Sequence, residues 1–403
     1  MPHPRRANPG GEIAPADVIG RDALVRRIWS TLANQSVQVI AERRMGKTTV
    51  IKKMRHDAPA GHHFVFRDVE GLSSPLEFAE AVAKDLLALQ PAKTWAKSTF
   101  ASVYAHLAGA EIAGVVKFPA ALAPHWKELL QASVASALEA HPGATFVFAW
   151  DELPYMLDKV RRTSTEADAM EILDTLRGLR QTHSHCRMVF SGSIGLHHVL
   201  SELRDAGHAS APVNDMRTIE VGGLDEPDAL TLATALFMGE GLTGPDPADA
   251  ARALCEAVDR VPYYIHHVVA DLRDREWSAT RAEVERAVHH ALVDAHDPWN
   301  LMHYRQRVDT YYAAPQVPVV LAVLDVLERE PLTFTEVANR VRSTRFPNPT
   351  PFTTSILEGE DEPLRSLLDL LARDHYLRRD PDTRCYTYRF SLIQRWWRLH
   401  RGT

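Results

Sequence analysis

The chain has 403 residues, of which 45% are hydrophobic and 24% are charged, and its net charge is −6. These values predict a globular protein of two or three domains and argue against a protein dominated by general nucleic-acid affinity. The three widely spaced cysteines, Cys186, Cys255 and Cys385, argue against a disulfide framework. No apolar run reaches the roughly 18 residues that a membrane-spanning helix needs, and no signal-peptide pattern opens the chain, so we expect a cytoplasmic protein without a membrane partner.

The predicted elements fall into four successive stretches. Residues 1–16 are rich in proline and glycine and predict a disordered tail. Residues 17–222 alternate apolar strands with helices, which predicts an α/β fold with a parallel sheet covered on both faces, and 109–124 predict a loop or hairpin insert. Residues 223–315 have helical periodicity alone and predict a lid domain. Residues 316–403 predict three helices and a two-stranded hairpin, which is the order of a winged helix.

The strongest chemical signal follows the first predicted strand, residues 37–40. Residues 41–48 match the phosphate-binding loop pattern G-x-x-x-x-G-K-[ST] except that Ala41 stands at the first position. Gly46 allows the backbone to turn its N–H groups toward phosphates, and the positive end of the following helix faces the same charge. The sequence therefore predicts a nucleotide-binding loop made of Ala41, Glu42, Arg43, Arg44, Met45, Gly46, Lys47, Thr48 and Thr49.

The predicted reaction site consists of one basic residue and one hydroxyl residue of this loop together with an acidic pair. Lys47 should reach the β and γ phosphates, and the Thr48 hydroxyl should hold Mg²⁺. The apolar strand 146–150 ends in Asp151 and Glu152, at the edge where parallel sheets bind ligands. Asp151 should complete the Mg²⁺ shell, while Glu152 should orient and deprotonate the attacking water. ATP and Mg²⁺ are the predicted ligands.

Further polar residues are weaker candidates. Ser193, which follows the strand ending at Ser191, is predicted to sense the γ-phosphate, and a helix-capping role is the alternative. Arg204 and Arg217, downstream of this strand, are candidate arginine fingers. The histidine-rich stretch 183–186 has no second pair of ligands at zinc-like spacing, so it does not predict a metal site.

These segments resemble the archaeal-type ATPases and the related signal-transducing STAND branch of the AAA+-like P-loop NTPases, over residues 17–401. The matching points are Ile19-Gly20-Arg21-Asp22, Arg43-Arg44-x-Gly46-Lys47-Thr48, Asp151-Glu152, Gly192-Ser193, Val261-Pro262-Tyr263-Tyr264 and the closing FSLIQRWWR. The resemblance implies contacts with the nucleotide by the segment before the first helix and by the lid motif, namely Val18, Ile19, Gly20, Arg21 and Pro262. Two positions depart from the family, since Ala41 and Arg260 stand where glycine is usual.

Three functions remain open on this sequence. The first is an ATP-hydrolysing molecular switch in signalling or defence, slow until the chain self-associates or meets a protein partner. The second is a DNA-binding loader or regulator whose winged helix grips duplex DNA through arginines such as Arg378 and Arg379, although the acidic stretch 358–362 opposes DNA. The third is a scaffold that holds nucleotide without turnover. The pairing of Lys47 with the Asp151-Glu152 strand end favours ATP hydrolysis.

Overall fold

The chain divides into two compact units, one formed by Ala14–Val221 and the other by Met1–Ile13 together with Gly222–Thr403. In the described part of the chain, no helix is long and apolar enough to cross a membrane. The computed structural model describes residues 3–89, 98–108, 117–192 and 195–401.

A five-stranded parallel sheet organises the unit Ala14–Val221. Its strands are β1 (Val37–Ile40), β2 (His62–Asp68), β3 (Thr145–Asp151), β4 (Cys186–Ser191) and β5 (Arg217–Glu220), in the order β2-β3-β4-β1-β5. Every residue of β3 after Thr145 is buried, as expected for a strand covered on both faces. Because the strands are parallel, their carboxyl ends meet at one edge of the sheet, where β4 separates β3 from β1.

An apolar cluster that includes Phe148 and Trp150 of β3 packs helices on the sheet. The strands and helices predicted for this unit are present, and the structure adds the helices Thr99–Ala108 and Leu153–Thr163 and the strand β5, which the sequence pattern did not predict. The predicted insert at 109–124 ends in the 3₁₀ turn Ala120–His125, and its residues 109–116 lie outside the described residues. The helices are α1 (Asp22–Leu32), α2 (Lys47–His56), α3 (Pro75–Leu87), α4 (Thr99–Ala108), α5 (Trp126–Ala140), α6 (Leu153–Thr163), α7 (Glu166–Thr182) and α8 (Leu196–Asp205).

The second unit is mainly helical. Its helices are α9 (Glu226–Glu240), α10 (Pro247–Ala257), α11 (Pro262–Asp274), α12 (Arg281–Val293), α13 (Met302–Tyr311), α14 (Val317–Leu327), α15 (Phe334–Ser343), α16 (Pro351–Leu357), α17 (Glu362–Arg373) and α18 (Ser391–Arg401). An antiparallel hairpin of β6 (Leu377–Arg379) and β7 (Tyr386–Tyr388) follows α17. Helices α14, α15 and α17 and this hairpin have the predicted order, with the short α16 inserted. The winged helix and its separation from a lid stay predictions.

A strained turn precedes α11. Asp259 and Arg260 have φ values of 52° and 57°, in the left-handed region that favours glycine. Arg260 therefore adopts a backbone for which the glycine expected from the resemblance would be suited. The Asp259 carboxylate accepts hydrogen bonds from the backbone N–H groups of Ser391 at 3.0 Å and Leu392 at 2.8 Å, so the turn also caps the first turn of α18.

The N-terminal segment (residues 3–13) differs from the predicted disordered tail, because it makes specific contacts with the helical unit. The Arg5 N–H donates to the Ala235 carbonyl oxygen at 2.9 Å, and the Ala7 N–H donates to Glu240 Oε1 at 2.6 Å. These acceptors satisfy backbone groups that a disordered tail would leave to water.

His266 of α11 gives this part of the molecule a pH dependence. Its Nδ1 accepts the Asn8 N–H at 3.1 Å, and burial together with the nearby charge of Arg5 lowers the pKa of His266 to about 4. An unfolded histidine has a pKa near 6.5, so the unfolded chain binds the extra proton between these two values. The stabilisation by neutral His266 is complete above about pH 6.5 and is lost as the pH falls toward 4.

We expect the free energy of unfolding to fall by up to about 1.4 kcal/mol per pH unit in this window because of His266. The measurement is urea unfolding between about pH 7 and pH 5. In His266→Gln a side-chain oxygen can still accept the Asn8 N–H but does not titrate, so the dependence on pH should be shallower. Equal slopes for the two proteins would contradict the assignment.

Candidate functional site

The loop between β1 and α2 contains two residues with left-handed backbone. Gly46 has φ 85° and Arg44 has φ 70°. Glycine adopts this conformation readily, whereas a non-glycine residue there stores about 1–3 kcal/mol of strain. Ala41 is not among the residues with positive φ, so its methyl group causes no backbone strain where the loop pattern has glycine. The departure at Ala41 is therefore compatible with this loop.

Two buried cations hold the carbonyl groups of the loop. Lys47, the first residue of α2, donates from Nζ to the Ala41 carbonyl oxygen at 2.9 Å. Arg21 donates to the Met45 carbonyl oxygen at 3.0 Å. The first N–H groups of α2 have no acceptor within the helix, so this end of α2 presents hydrogen-bond donors and a positive dipole.

Glu42 lies inside the predicted loop, but its carboxylate turns back on the loop backbone. Its Oε1 accepts the Arg43 N–H at 2.7 Å, and the residue is only 2% exposed. The Met45 N–H donates to the Glu42 carbonyl oxygen at 3.4 Å, which closes the turn. In this arrangement the Arg43 N–H faces a carboxylate, and a phosphate would have to replace that acceptor.

Asp151, at the end of β3, joins three parts of the site. Its Oδ2 accepts the hydroxyl of Thr48 at 2.6 Å. Its Oδ1 accepts the hydroxyl of Ser191, the last residue of β4, and the N–H of Glu152 at 3.2 Å. These three donors fix the orientation of the Asp151 carboxylate. They also supply hydrogen bonds that water cannot, because Asp151 is only 3% exposed.

Glu152 directly precedes α6 and has a strained backbone, with φ 57°. Strain of this kind occurs preferentially at functional sites. Gly192 lies beside it: a Cβ atom on Gly192 would lie 2.7 Å from Cδ of Pro154 and 3.5 Å from Oε2 of Glu152. The absence of a side chain at Gly192 therefore lets the end of β4 approach the start of α6.

The structure places Lys47, Thr48, Asp151 and Glu152 at the carboxyl edge of the sheet, and their roles toward a nucleotide stay predictions. The predicted sensor Ser193 lies outside the described residues. Sequence reasoning missed Ser191, whose signal is a polar residue that closes an apolar strand next to the strand of Asp151.

The other predicted residues are placed differently. Arg217 begins β5 and pairs in register with Val37, the first residue of β1, so within this chain it lies at the opposite edge of the sheet from Lys47. Arg204 is exposed in the last turn of α8. Neither placement identifies an arginine finger, and both assignments stay predictions.

The segment before α1 reaches the loop through Arg21. The residues ahead of it are half-buried, namely Val18, Ile19 and Gly20. Pro262 begins α11 in the other unit. Contact of these residues with a nucleotide stays a prediction. The predicted role of Thr49 in nucleotide binding also stays a prediction; Thr49 follows Thr48 and is half-buried.

Comparison with known proteins identifies the fold. No family model and no curated protein matches the sequence. Among solved structures, a Walker-type ATPase of Pyrococcus abyssi aligns with 99% of this chain and 98% of its own, at a TM-score of 0.60 and 15% sequence identity. The chain has the P-loop NTPase fold. The α/β fold class and the resemblance to archaeal-type P-loop ATPases are thus confirmed at the level of the fold.

Two further solved structures are similar at lower scores. The ORC2 protein of Aeropyrum pernix, solved in ADPNP–ADP complexes, has a TM-score of 0.48 and 11% identity, with 95% of this chain and 94% of that chain aligned. A STAND protein of Pyrococcus horikoshii with a tetratricopeptide-repeat sensor has a TM-score of 0.35 and 12% identity, with 97% of this chain and 43% of that chain aligned. The fold rests on the first structure alone.

Proposed function

We propose that this chain is a Mg²⁺-dependent ATPase that acts as a nucleotide-dependent switch. The observation that supports it best is the 2.6 Å hydrogen bond between Thr48 and Asp151, two residues 103 positions apart. This bond joins the start of α2, which follows the loop with the phosphate-binding pattern, to the acidic end of β3. A P-loop ATPase needs these two groups at one place, because the metal and the phosphates are bound together.

ATP binding is the first step of the proposal. The N–H groups of the loop and the start of α2 would cradle the phosphates. Lys47 Nζ would leave the neutral carbonyl of Ala41 for a charged phosphate oxygen, which is the stronger acceptor. Arg21 would keep the loop in shape through its bond to the Met45 carbonyl oxygen.

The donor set of the site fits Mg²⁺, which prefers oxygen ligands. Thr48 and Asp151 would hold the ion, with Ser191 keeping the Asp151 carboxylate in place. Bound Mg²⁺ would neutralise charge on the phosphate oxygens.

Hydrolysis would depend on Glu152. Its carboxylate would take a proton from a water molecule as the water oxygen bonds to the γ-phosphorus. The bond from this phosphorus to the bridging oxygen breaks, and ADP and phosphate result. The strained backbone of Glu152 and the close approach of Pro154 to Gly192 support this role, since the start of α6 lies against the end of β4.

The direct test is phosphate release from ATP by the purified chain, with and without Mg²⁺, beside a titration of ATP binding. Mg²⁺-dependent release supports the proposal. Binding without release at any protein concentration would favour the nucleotide-stabilised scaffold. Absence of binding would contradict both. As a switch, the protein should self-associate or bind a protein partner in the ATP state.

A second candidate function, DNA binding, is supported by two exposed arginines, Arg378 and Arg379 on β6. If the hairpin grips duplex DNA, replacing both arginines with alanine should weaken binding about tenfold or more and flatten its salt dependence. Fluorescence anisotropy with a labelled duplex measures this. The matched control is alanine at the exposed Arg26 and Arg27 of α1. Equal affinities for both double variants would contradict DNA binding by the hairpin.

A further inference from the structure

Ser191 is a buried polar residue that contacts two neighbouring strands. It closes β4, which lies between β3 and β1 in the sheet, and it pairs in register with Val39 of β1. Toward β3 its hydroxyl group donates to Oδ1 of Asp151. Both Ser191 and Asp151 are 3% exposed. The acid of the candidate site and the strand that leads into the loop therefore share Ser191 as a neighbour.

The serine follows a mainly apolar stretch of β4. The other buried residues of this strand are Cys186, Met188, Val189 and Phe190. Burying a hydroxyl group costs free energy unless the group is hydrogen-bonded, and an apolar side chain would fill the position without that cost. The bond to Asp151 offsets the cost, so it is a physical reason for a serine at the end of β4.

The donors around Asp151 divide its two oxygens. Among the described residues, Oδ1 accepts from the Ser191 hydroxyl and from the Glu152 N–H, whereas Oδ2 accepts from the Thr48 hydroxyl. An ionised carboxylate has about four acceptor positions, two on each oxygen. Oδ1 is therefore filled by its two donors, while Oδ2 keeps a position on the side of Thr48, the other proposed Mg²⁺ ligand.

We propose that Ser191 is a positioning residue that sets the Mg²⁺ affinity of the site, because it holds Oδ1 and leaves Oδ2 of Asp151 for the ion. This proposal rests on the proposed function. The last torsion of an aspartate side chain has a broad preference, so without Ser191 the carboxylate would turn more freely. Removing a group that orients a metal ligand typically lowers metal affinity or activity about 10- to 100-fold.

The test is the Mg²⁺ dependence of nucleotide binding by the full-length chain. Isothermal titration measures the affinity for a non-hydrolysable ATP analogue in EDTA and at increasing Mg²⁺ concentration. In Ser191→Ala the Mg²⁺ concentration that gives half of the increase in affinity should rise about 10- to 100-fold. The affinity in EDTA should stay near that of the wild type, because the loop and Lys47 are unaltered.

The matched control is Ser36→Ala. Ser36 is also buried, at 4% exposed, and its Oγ accepts the Met188 N–H of the same strand β4 at 2.9 Å. It precedes β1, however, and so lies at the opposite edge of the sheet from Asp151. Loss of this serine should leave the Mg²⁺ dependence as in the wild type, and circular dichroism reports whether each variant is folded.

Two conservative variants complete the series at this position. Ser191→Thr keeps a hydroxyl group, so it should restore the Mg²⁺ dependence of the wild type. Ser191→Cys keeps the approximate size of the side chain but has a weaker donor, so a smaller shift in the same direction is expected. This variant also covers the case in which Ser191→Ala fails to fold.

The outcomes separate the role of Ser191 from the proposed function. If Ser191→Ala and the wild type have the same Mg²⁺ dependence, the positioning role is overturned while the ATP site stands. If Ser191→Ala weakens binding equally with and without Mg²⁺, the hydroxyl group supports the fold alone, and the positioning role is again overturned. If the wild type does not bind the analogue, or if Mg²⁺ leaves its binding unchanged, the proposed function fails and the role of Ser191 fails with it.

Discussion

Replacing Glu152 with glutamine is expected to lower ATP turnover about 10²- to 10⁴-fold while leaving the affinity for ATP nearly unchanged. The amide has the same size as the carboxylate but cannot take the proton of the attacking water. Nucleotide contacts are expected to persist, because the loop, Lys47 and the Thr48–Asp151 pair are unaltered. The variant should therefore hold ATP without releasing ADP, and any complex that forms in the ATP state should accumulate.

Single-turnover hydrolysis, ATP titration and size-exclusion chromatography with multi-angle scattering measure these effects on one preparation. Glu128→Gln is the matched control, since Glu128 is exposed on α5 and is not one of the candidate site residues. If Glu152→Gln and wild type show the same negligible turnover at every protein concentration and with every partner tried, the chain is a scaffold and not an ATPase.

Replacing Lys47 with alanine is expected to weaken ATP binding about 10- to 150-fold, the loss that follows from removing one charged hydrogen-bond donor. Lys47 is 8% exposed and donates to Ala41 at 2.9 Å, so it is already held over the loop. Loss of the charge should affect a nucleotide triphosphate more than adenosine, which has no phosphate.

Isothermal titration with ATP, ADP and adenosine distinguishes these cases. Lys52→Ala, at a half-buried lysine of the same helix, controls for a general change in charge, and circular dichroism reports whether α2 is retained. Binding of ATP with wild-type affinity by Lys47→Ala would refute the assignment of residues 41–48 as the phosphate-binding loop.

Local sequence patterns predicted most of the elements and the core of the site. The apolar run that forms β3 is buried from Phe146 onward, and a strand of this kind can only be internal in a parallel sheet. Gly46 and Lys47 have the positions that the loop pattern requires. Each of these predictions depends on neighbouring residues, which is why the sequence alone was sufficient.

Features that depend on distant residues were not predictable in this way. The order of the strands places Ser191 against Asp151, and no local pattern reveals that two strand ends 40 residues apart meet. The N-terminal segment has the composition of a disordered tail, but its acceptors Glu240 and His266 lie 233 and 258 residues from their donors. The composition of a segment indicates only how much surface the segment can bury by itself. Here the N-terminal segment is partly buried by contacts with helices far along the chain.

The helical unit is formed by residues 3–13 together with residues 222–403. This arrangement has a consequence for biosynthesis. The N-terminal segment leaves the ribosome long before α9 and α11 exist, and at about 5–20 residues per second the delay is roughly 13 to 50 s. During that time Ala14–Val221 is being made and can fold, while the acceptors of the Arg5, Ala7 and Asn8 N–H groups do not yet exist. The segment thus reaches its final position only after the chain has been extended past His266.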